Sequence, residues 1–111
     1  RAIHDEADTI TSLGYIAVDD LAQSTGELIV LDRVKNDNDM SGNGTFQLYN
    51  PSSSTFVKHF ISRTASQSGG TYQADLFIAG YGNTTSPINS VRFKFHNGNI
   101  DDGIIKMYGV S

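Results

Sequence analysis

The sequence predicts an all-β fold, an antiparallel β-sandwich of jelly-roll-like type, and three observations carry that expectation. Eleven glycines stand against two prolines in 111 residues; with Ser, Thr and Asn abundant, this is the composition of many tight turns rather than of long helices. Residues 88–96 (INSVRFKFH) alternate strictly, Val91, Phe93 and Phe95 on one face and Arg92, Lys94 and His96 on the other, the period of a half-buried strand. Clusters of Asn, Asp, Gly and Ser divide the chain into about seven short apolar runs, a spacing that suits a sandwich or jelly roll.

Residues 1–11 (RAIHDEADTIT) are the most charged stretch, with Ile3 and Ile10 as their large apolar residues, and read as an arm or linker ahead of a single sandwich domain over 12–111. The run 13–18 (LGYIAV) predicts a buried strand, with helix as its alternative, and 28–31 (LIVL) predicts a second strand. Residues 33–44 are dense in Asn, Asp and Gly and read as a long exposed loop. The alternation of 44–49 (GTFQLY) puts Phe46 and Leu48 on one face, and Asn50-Pro51-Ser52 turns the chain toward a strand at 56–64.

That next strand is partly apolar on both faces, with Phe56 and Phe60 on one parity and Val57, His59 and Ile61 on the other. Residues 65–70 (ASQSGG) read as a flexible turn, 71–81 (TYQADLFIAGY) as a longer strand whose Gly80 marks a bend or bulge. After 88–96, a turn around Asn97-Gly98 leads to a last strand over 104–110 (IIKMYGV) and closes a C-terminal hairpin. The expected core is Phe46, Leu48, Val91, Phe93, Phe95, Ile105 and Met107, each large apolar side chain contributing roughly 2 kcal/mol when buried.

Composition narrows function. The chain is 38% hydrophobic and 18% charged, apolar enough to fold and too polar to be drawn into a bilayer, so no membrane partner is expected. Net charge is −4, and the eight Lys and Arg are scattered, with no run to track a phosphate backbone; nucleic acid is not an expected partner either. There is no cysteine, which excludes disulfides, thiolate zinc sites and cysteine nucleophiles. A first residue Arg1, with no apolar leader after it, reads as a processed or excised piece of something longer.

Catalytic signatures are missing. His4, His59 and His96 fall on different elements without zinc spacing, and no Gly-x-Ser-x-Gly elbow accompanies the many serines. A glycoside hydrolase would draw its two carboxylates from Asp19, Asp20, Glu27, Asp32, Asp75 or the loop acids, and nothing in the spacing brings two of these to one cleft. The alternation 36–39 (NDND) offers oxygen ligands to calcium, making Asp37 and Asp39 weak metal candidates; the EF-hand pattern fails, and a solvated turn accounts for the same residues. No cofactor is expected. Tyr49, Tyr72 and Tyr81 sit at strand ends beside turn residues, where a sandwich presents aromatic platforms to a glycan or a partner, or simply keeps tyrosines half-buried. The sequons at Asn43 and Asn83 carry no assigned function.

The run 88–95 (INSVRFKF), followed by Asn97-Gly98-Asn99-Ile100, Gly103 and Lys106-Met107-Tyr108-Gly109, resembles a recurring ending of bacteriophage virion proteins, in which an I-N-x-[IV]-R-F strand leads to S-G-N-I and G-x-I-x-[LM]-Y-G. This chain departs by placing His96-Asn97 ahead of Gly98-Asn99-Ile100 where Ser-Ser is more usual. Upstream, 49–53 (YNPSS), Lys58-His59, Gly80-Tyr81 and Asn83-Thr84-Thr85 are similar to the same group, so the likeness covers residues 44–111. The motif is moderately specific to phage particles and brings no catalytic residue with it.

The resemblance implies a non-catalytic virion structural module, in a tail fibre, an appendage or a capsid decoration. It also implies a homotrimer, other virion proteins as partners, host-surface attachment, and location in the virion. The acidic arm 1–11 would then dock to a neighbouring subunit. Two rivals remain: a carbohydrate-binding domain using Tyr49, Tyr72, Tyr81 and the Asn/Asp loops on host surface glycans, with or without calcium, and a small polysaccharide depolymerase.

Overall fold

A computed structural model describes residues 1–35, 37–69 and 71–110. The protein is all-β, and among the described residues a 3-10 turn at Ala17–Asp19 is the helical element. Five strands, β1 (Ala2–Asp5), β2 (Thr11–Leu13), β3 (Gly42–Leu48), β4 (Lys58–Ser68) and β5 (Tyr72–Gly82), form a single open antiparallel sheet in the order β2-β1-β5-β4-β3. Its spine is the β4–β5 hairpin, paired from Lys58 opposite Gly82 to Ser68 opposite Tyr72.

Period two sorts the sheet into two unlike faces. Even-numbered residues of β3, β4 and β5 lie under the rest of the chain, and odd-numbered ones face outward. The covered stripe of β4 runs Lys58, Phe60, Ser62, Thr64, Ser66, Ser68, aromatic toward one end and hydroxylic toward the other. At the aromatic end Phe46 stacks on Phe60 with ring centroids 5.5 Å apart and meets the edge of Phe93 at 6.0 Å. Phe60 lies across Gly80, where an added Cβ would stand 2.6 Å from its ring; Gly80 therefore makes room for an aromatic ring rather than a bulge.

At the other end hydroxyls hold the cover. Thr64 Oγ1 donates to the Val30 carbonyl at 2.6 Å, Ser66 Oγ to the Asp32 carbonyl at 2.9 Å, and Ser62 Oγ to the Thr45 carbonyl at 3.1 Å. Asp32, itself buried, takes the Arg1 guanidinium at 2.7 Å and the Ser68 hydroxyl at 3.5 Å. Buried Lys58 donates to the Thr84 carbonyl at 3.2 Å.

These contacts correct several expectations. Residues 65–68 are strand rather than flexible turn, because their serines alternate and both hydroxyls find acceptors on Asp32 across the layer, Ser66 its carbonyl and Ser68 its carboxylate; Gly70 lies outside the described residues. Residues 28–31 form no strand: carbonyls of this covering segment accept β4 side-chain hydroxyls instead of a neighbouring strand's N–H groups. The run 13–18 contributes only Leu13 to a strand. Residues 2–5, within the stretch read as an arm, pair along β5.

The C-terminal hairpin is not formed. Residues 88–96 lie across the covered face as irregular chain, fastened by Ile88 N–H to the Pro51 carbonyl at 2.8 Å, by Phe93 on Phe46, and by Arg92 and Lys94 on Glu27. Their alternation chose a face without supplying a ladder partner. Of the expected core, Phe46, Leu48 and Phe95 are half-buried, whereas Val91, Phe93, Ile105 and Met107 are exposed. Among the described residues the buried apolar side chains are Ala74 and Leu76 alone.

The molecule is accordingly spread out. Its radius of gyration is 15.5 Å, against about 13 Å for a compact domain of this length. It exposes 9022 Å², about 3,000 Å² more than a compact chain of 12.0 kDa.

Three substitutions test the packing, one of them as a control. Replacing Ser66 by Ala leaves the Asp32 carbonyl without its donor, and urea unfolding is expected to show a loss of about 1–3 kcal/mol. A Cβ on Gly44 would fall 2.5 Å from the Arg63 carbonyl oxygen, whereas one on Gly14 meets nothing within 4 Å; Gly44→Ala is expected to cost about 1–3 kcal/mol and Gly14→Ala less than about 0.5 kcal/mol.

Candidate functional site: the open face of the sheet

The outward residues form cross-strand rows. At one end Tyr49 donates its backbone N–H to the His59 carbonyl at 2.9 Å, and the His59 ring lies 5.9 Å from Tyr81. Next come Gln47, Ile61 and Ala79, then Thr45, Arg63 and Phe77, and then Asn43, Ala65, Asp75, Ala2 and Leu13. The last row joins Gln67, Gln73, His4 and Thr11. Ile61, Phe77 and Tyr81 are all about half exposed or more, an apolar strip on a face that carries no second layer.

Arg63 is the central side chain of this face. Its guanidinium grips Asp75 with two bonds, Nε to Oδ1 at 3.2 Å and Nη2 to Oδ2 at 2.8 Å, and lies 4.5 Å above the Phe77 ring. The fork holds the planar cation flat on the aromatic ring. Each partner stabilises the other's charge: Arg63 lowers the Asp75 carboxyl pKa, and Asp75 raises that of Arg63. Beside them a shallow depression of about 580 Å³ is lined by His4, Asn43, Thr45, Arg63, Gln73 and Asp75 among others. A smaller one of about 260 Å³ lies between Tyr49, Asn50, Phe56, Val57 and His59.

The sequence candidates separate accordingly. Tyr49 and Tyr81 come to the same end of the open face, on either side of His59. Tyr72 sits at the opposite end of β5, half-buried on the covered parity. Asp37 and Asp39 are exposed in a turn closed by the Met40 N–H on the Asp37 carbonyl at 3.1 Å; their neighbour Asn36 lies outside the described residues. Among the described residues no three His, Asp or Glu side chains converge as a metal site. Arg63, Phe77, Gln73 and His4 were missed. The signal for Arg63 and Phe77 was the mixed apolar and polar character of both parities in 56–64 and 71–81, which marks strands with apolar side chains on both faces.

Four of the acids that could have served a hydrolase already have partners. Asp20 accepts the Tyr15 hydroxyl at 2.6 Å, Glu27 takes Lys94 at 2.8 Å and Arg92, and Asp32 and Asp75 hold Arg1 and Arg63. Among the described residues no helix is long and apolar enough to cross a membrane. Comparison with protein-family models, curated proteins and solved structures finds no match to this chain.

Three carboxyls are held below the ordinary carboxylate range. The Thr9 hydroxyl and then the Ile10 N–H lower Asp5, Lys94 and then Arg92 lower Glu27, and Arg63 lowers Asp75. Since the folded values lie below the unfolded ones, the stability they contribute is complete above the unfolded values, near about pH 4, and drains as pH falls through the folded values. The urea midpoint is expected to hold steady down to about pH 5 and to fall by about pH 3. The triple variant Asp5→Asn, Glu27→Gln, Asp75→Asn is expected to flatten that profile.

Proposed function

We propose that this chain is a non-catalytic structural module of a bacteriophage virion, in a tail fibre, an appendage or a capsid decoration. It assembles as a homotrimer and contributes to host-surface attachment. The observation that carries the proposal is the surplus surface of about 3,000 Å² on a chain of this mass, which falls within the range buried by obligate assemblies. The surplus is apolar where assembly needs it to be: Ile61, Phe77 and Tyr81 on the open face, and Ile104, Ile105, Met107, Tyr108 and Val110 beyond it. Patches of that extent on a soluble chain mark interaction sites.

The resemblance of residues 44–111 to phage virion proteins supports the same reading and supplies the setting. In it the jelly-roll-like sandwich is completed by neighbours: the single sheet is one layer, and copies or other virion proteins provide the second. Engagement of Asp20, Glu27, Asp32 and Asp75 in ion pairs and hydrogen bonds weighs against a depolymerase. Light scattering coupled to size exclusion is expected to give three chain masses per particle; a clean monomer at high concentration would contradict assembly through this surface.

A second reading has its own support, the row Tyr49–His59–Tyr81 beside the smaller depression lined by Tyr49, Asn50, Phe56, Val57 and His59. Aromatic rings next to amide and imidazole hydrogen-bonding groups suit a sugar's apolar and hydroxylic faces, and a glycan there is compatible with a structural role. On a host-glycan array, Tyr81→Ala and Tyr49→Ala are expected to weaken binding by about tenfold. Tyr72→Ala and added chelator are expected to leave it unchanged. An array without signal removes this reading.

A further inference from the structure

We propose that residues 104–110 of one copy add as a sixth strand to the free edge of β3 in a second copy. The inference rests on the assembly reading above and names its contact. It starts from two sets of unused backbone groups. In the β3–β4 ladder the bonds Tyr49 N–H to His59 and Gln67 N–H to the Ser41 carbonyl fix the phase. Odd residues of β3 therefore bond β4, and the N–H and C=O groups of Gly42, Gly44, Phe46 and Leu48 point away from it. Among the described residues no hydrogen bond outside the ladder engages them.

Residues 104–110 supply the complement. They form no helix, strand or turn, and among the described residues no hydrogen bond reaches their backbone. Ile104, Ile105, Met107, Tyr108 and Val110 are between 68% and 95% exposed, an arrangement that a folded chain keeps only when something else covers it. The segment is seven residues long, as is β3, so an added strand would use the whole edge. The other edge, β2, offers three residues.

Side-chain parity agrees with the pairing. Along β3, Phe46 and Leu48 lie on the covered face, while Asn43, Thr45 and Gln47 lie on the open face. Residues 104–110 put Ile105 and Met107 on one parity and Ile104, Lys106, Tyr108 and Val110 on the other. Docked with Ile105 and Met107 beside Phe46 and Leu48, the strand would extend the apolar side of the sheet and set Lys106 and Tyr108 among the polar groups of its open side.

The occupant is a second copy because of the area involved. A stable contact takes about 800 Å² from each partner, and the surplus of about 3,000 Å² leaves room for each chain to give one strand and receive one. Such a contact joins unlike surfaces, so passing strands from copy to copy closes a ring where the rotation between copies allows it and otherwise extends as a filament.

The lack of cysteine makes the test direct. Full-length chains carrying Thr45→Cys or Gln47→Cys are mixed with chains carrying Ile104→Cys, Lys106→Cys or Tyr108→Cys, and then oxidised. The proposal expects a disulfide-linked dimer for at least one pairing, and loss of the oligomer on Ile105→Asp with Met107→Asp, whose side chains are exposed in the single chain. A cross-link that forms only within a chain carrying both cysteines overturns the proposal by placing a chain's own segment on its own β3. An oligomer without any cross-link overturns it while sparing the assembly reading; a monomer removes both.

Discussion

The hydroxyl stripe of β4 is the constraint on which the rest of the structure depends. Thr64 and Ser66 donate to the carbonyls of Val30 and Asp32, and Ser68 and Arg1 converge on the Asp32 carboxylate. A covering segment held in this way need not be a strand, since its carbonyls find donors in side chains rather than in a ladder. It cannot drift either, because moving it would leave Ser66 and the Asp32 carbonyl buried without partners, at about 1–3 kcal/mol for each group.

A polar junction between layers has a consequence for the surface. Where Ser62, Thr64, Ser66 and Ser68 occupy the covered positions of the longest strands, apolar side chains that would ordinarily fill a core are displaced. Phe77 and Ile61 stand on the open face, and the 104–110 segment has no place on either side of the sheet. Specific hydrogen bonding inside and exposed apolar area outside therefore go together in this chain.

The strands β3 and β5 and the first part of β4 were legible in the sequence, because 44–49, 56–64 and 71–81 carry β-branched and aromatic residues between turn-rich segments. The stretch 65–68 was not, since serine and alanine have weak strand preference and their reason for being strand lies across the layer, in the carbonyl of Asp32. The strongest alternation in the chain, 88–96, did not yield a strand. Period two reports that one side of a segment is covered, and Phe93 on Phe46 supplies that cover, but a ladder also needs a strand with free N–H and C=O groups beside it. At the open face, Tyr49 and Tyr81 could be proposed as strand-end tyrosines. Their meeting across His59, and the Arg63 fork on Asp75 over Phe77, depend on register, which the spacing of residues does not set.

The central claim is that this sheet is finished by another molecule of its own kind. Hydrogen exchange followed by mass spectrometry across a dilution series measures it most directly, through the amides of 104–110 and of β3. The account predicts that both segments are protected at high concentration and lose protection together on dilution, while the β4–β5 hairpin keeps its own. Fast exchange of 104–110 at every concentration, or protection that is independent of dilution, would contradict it.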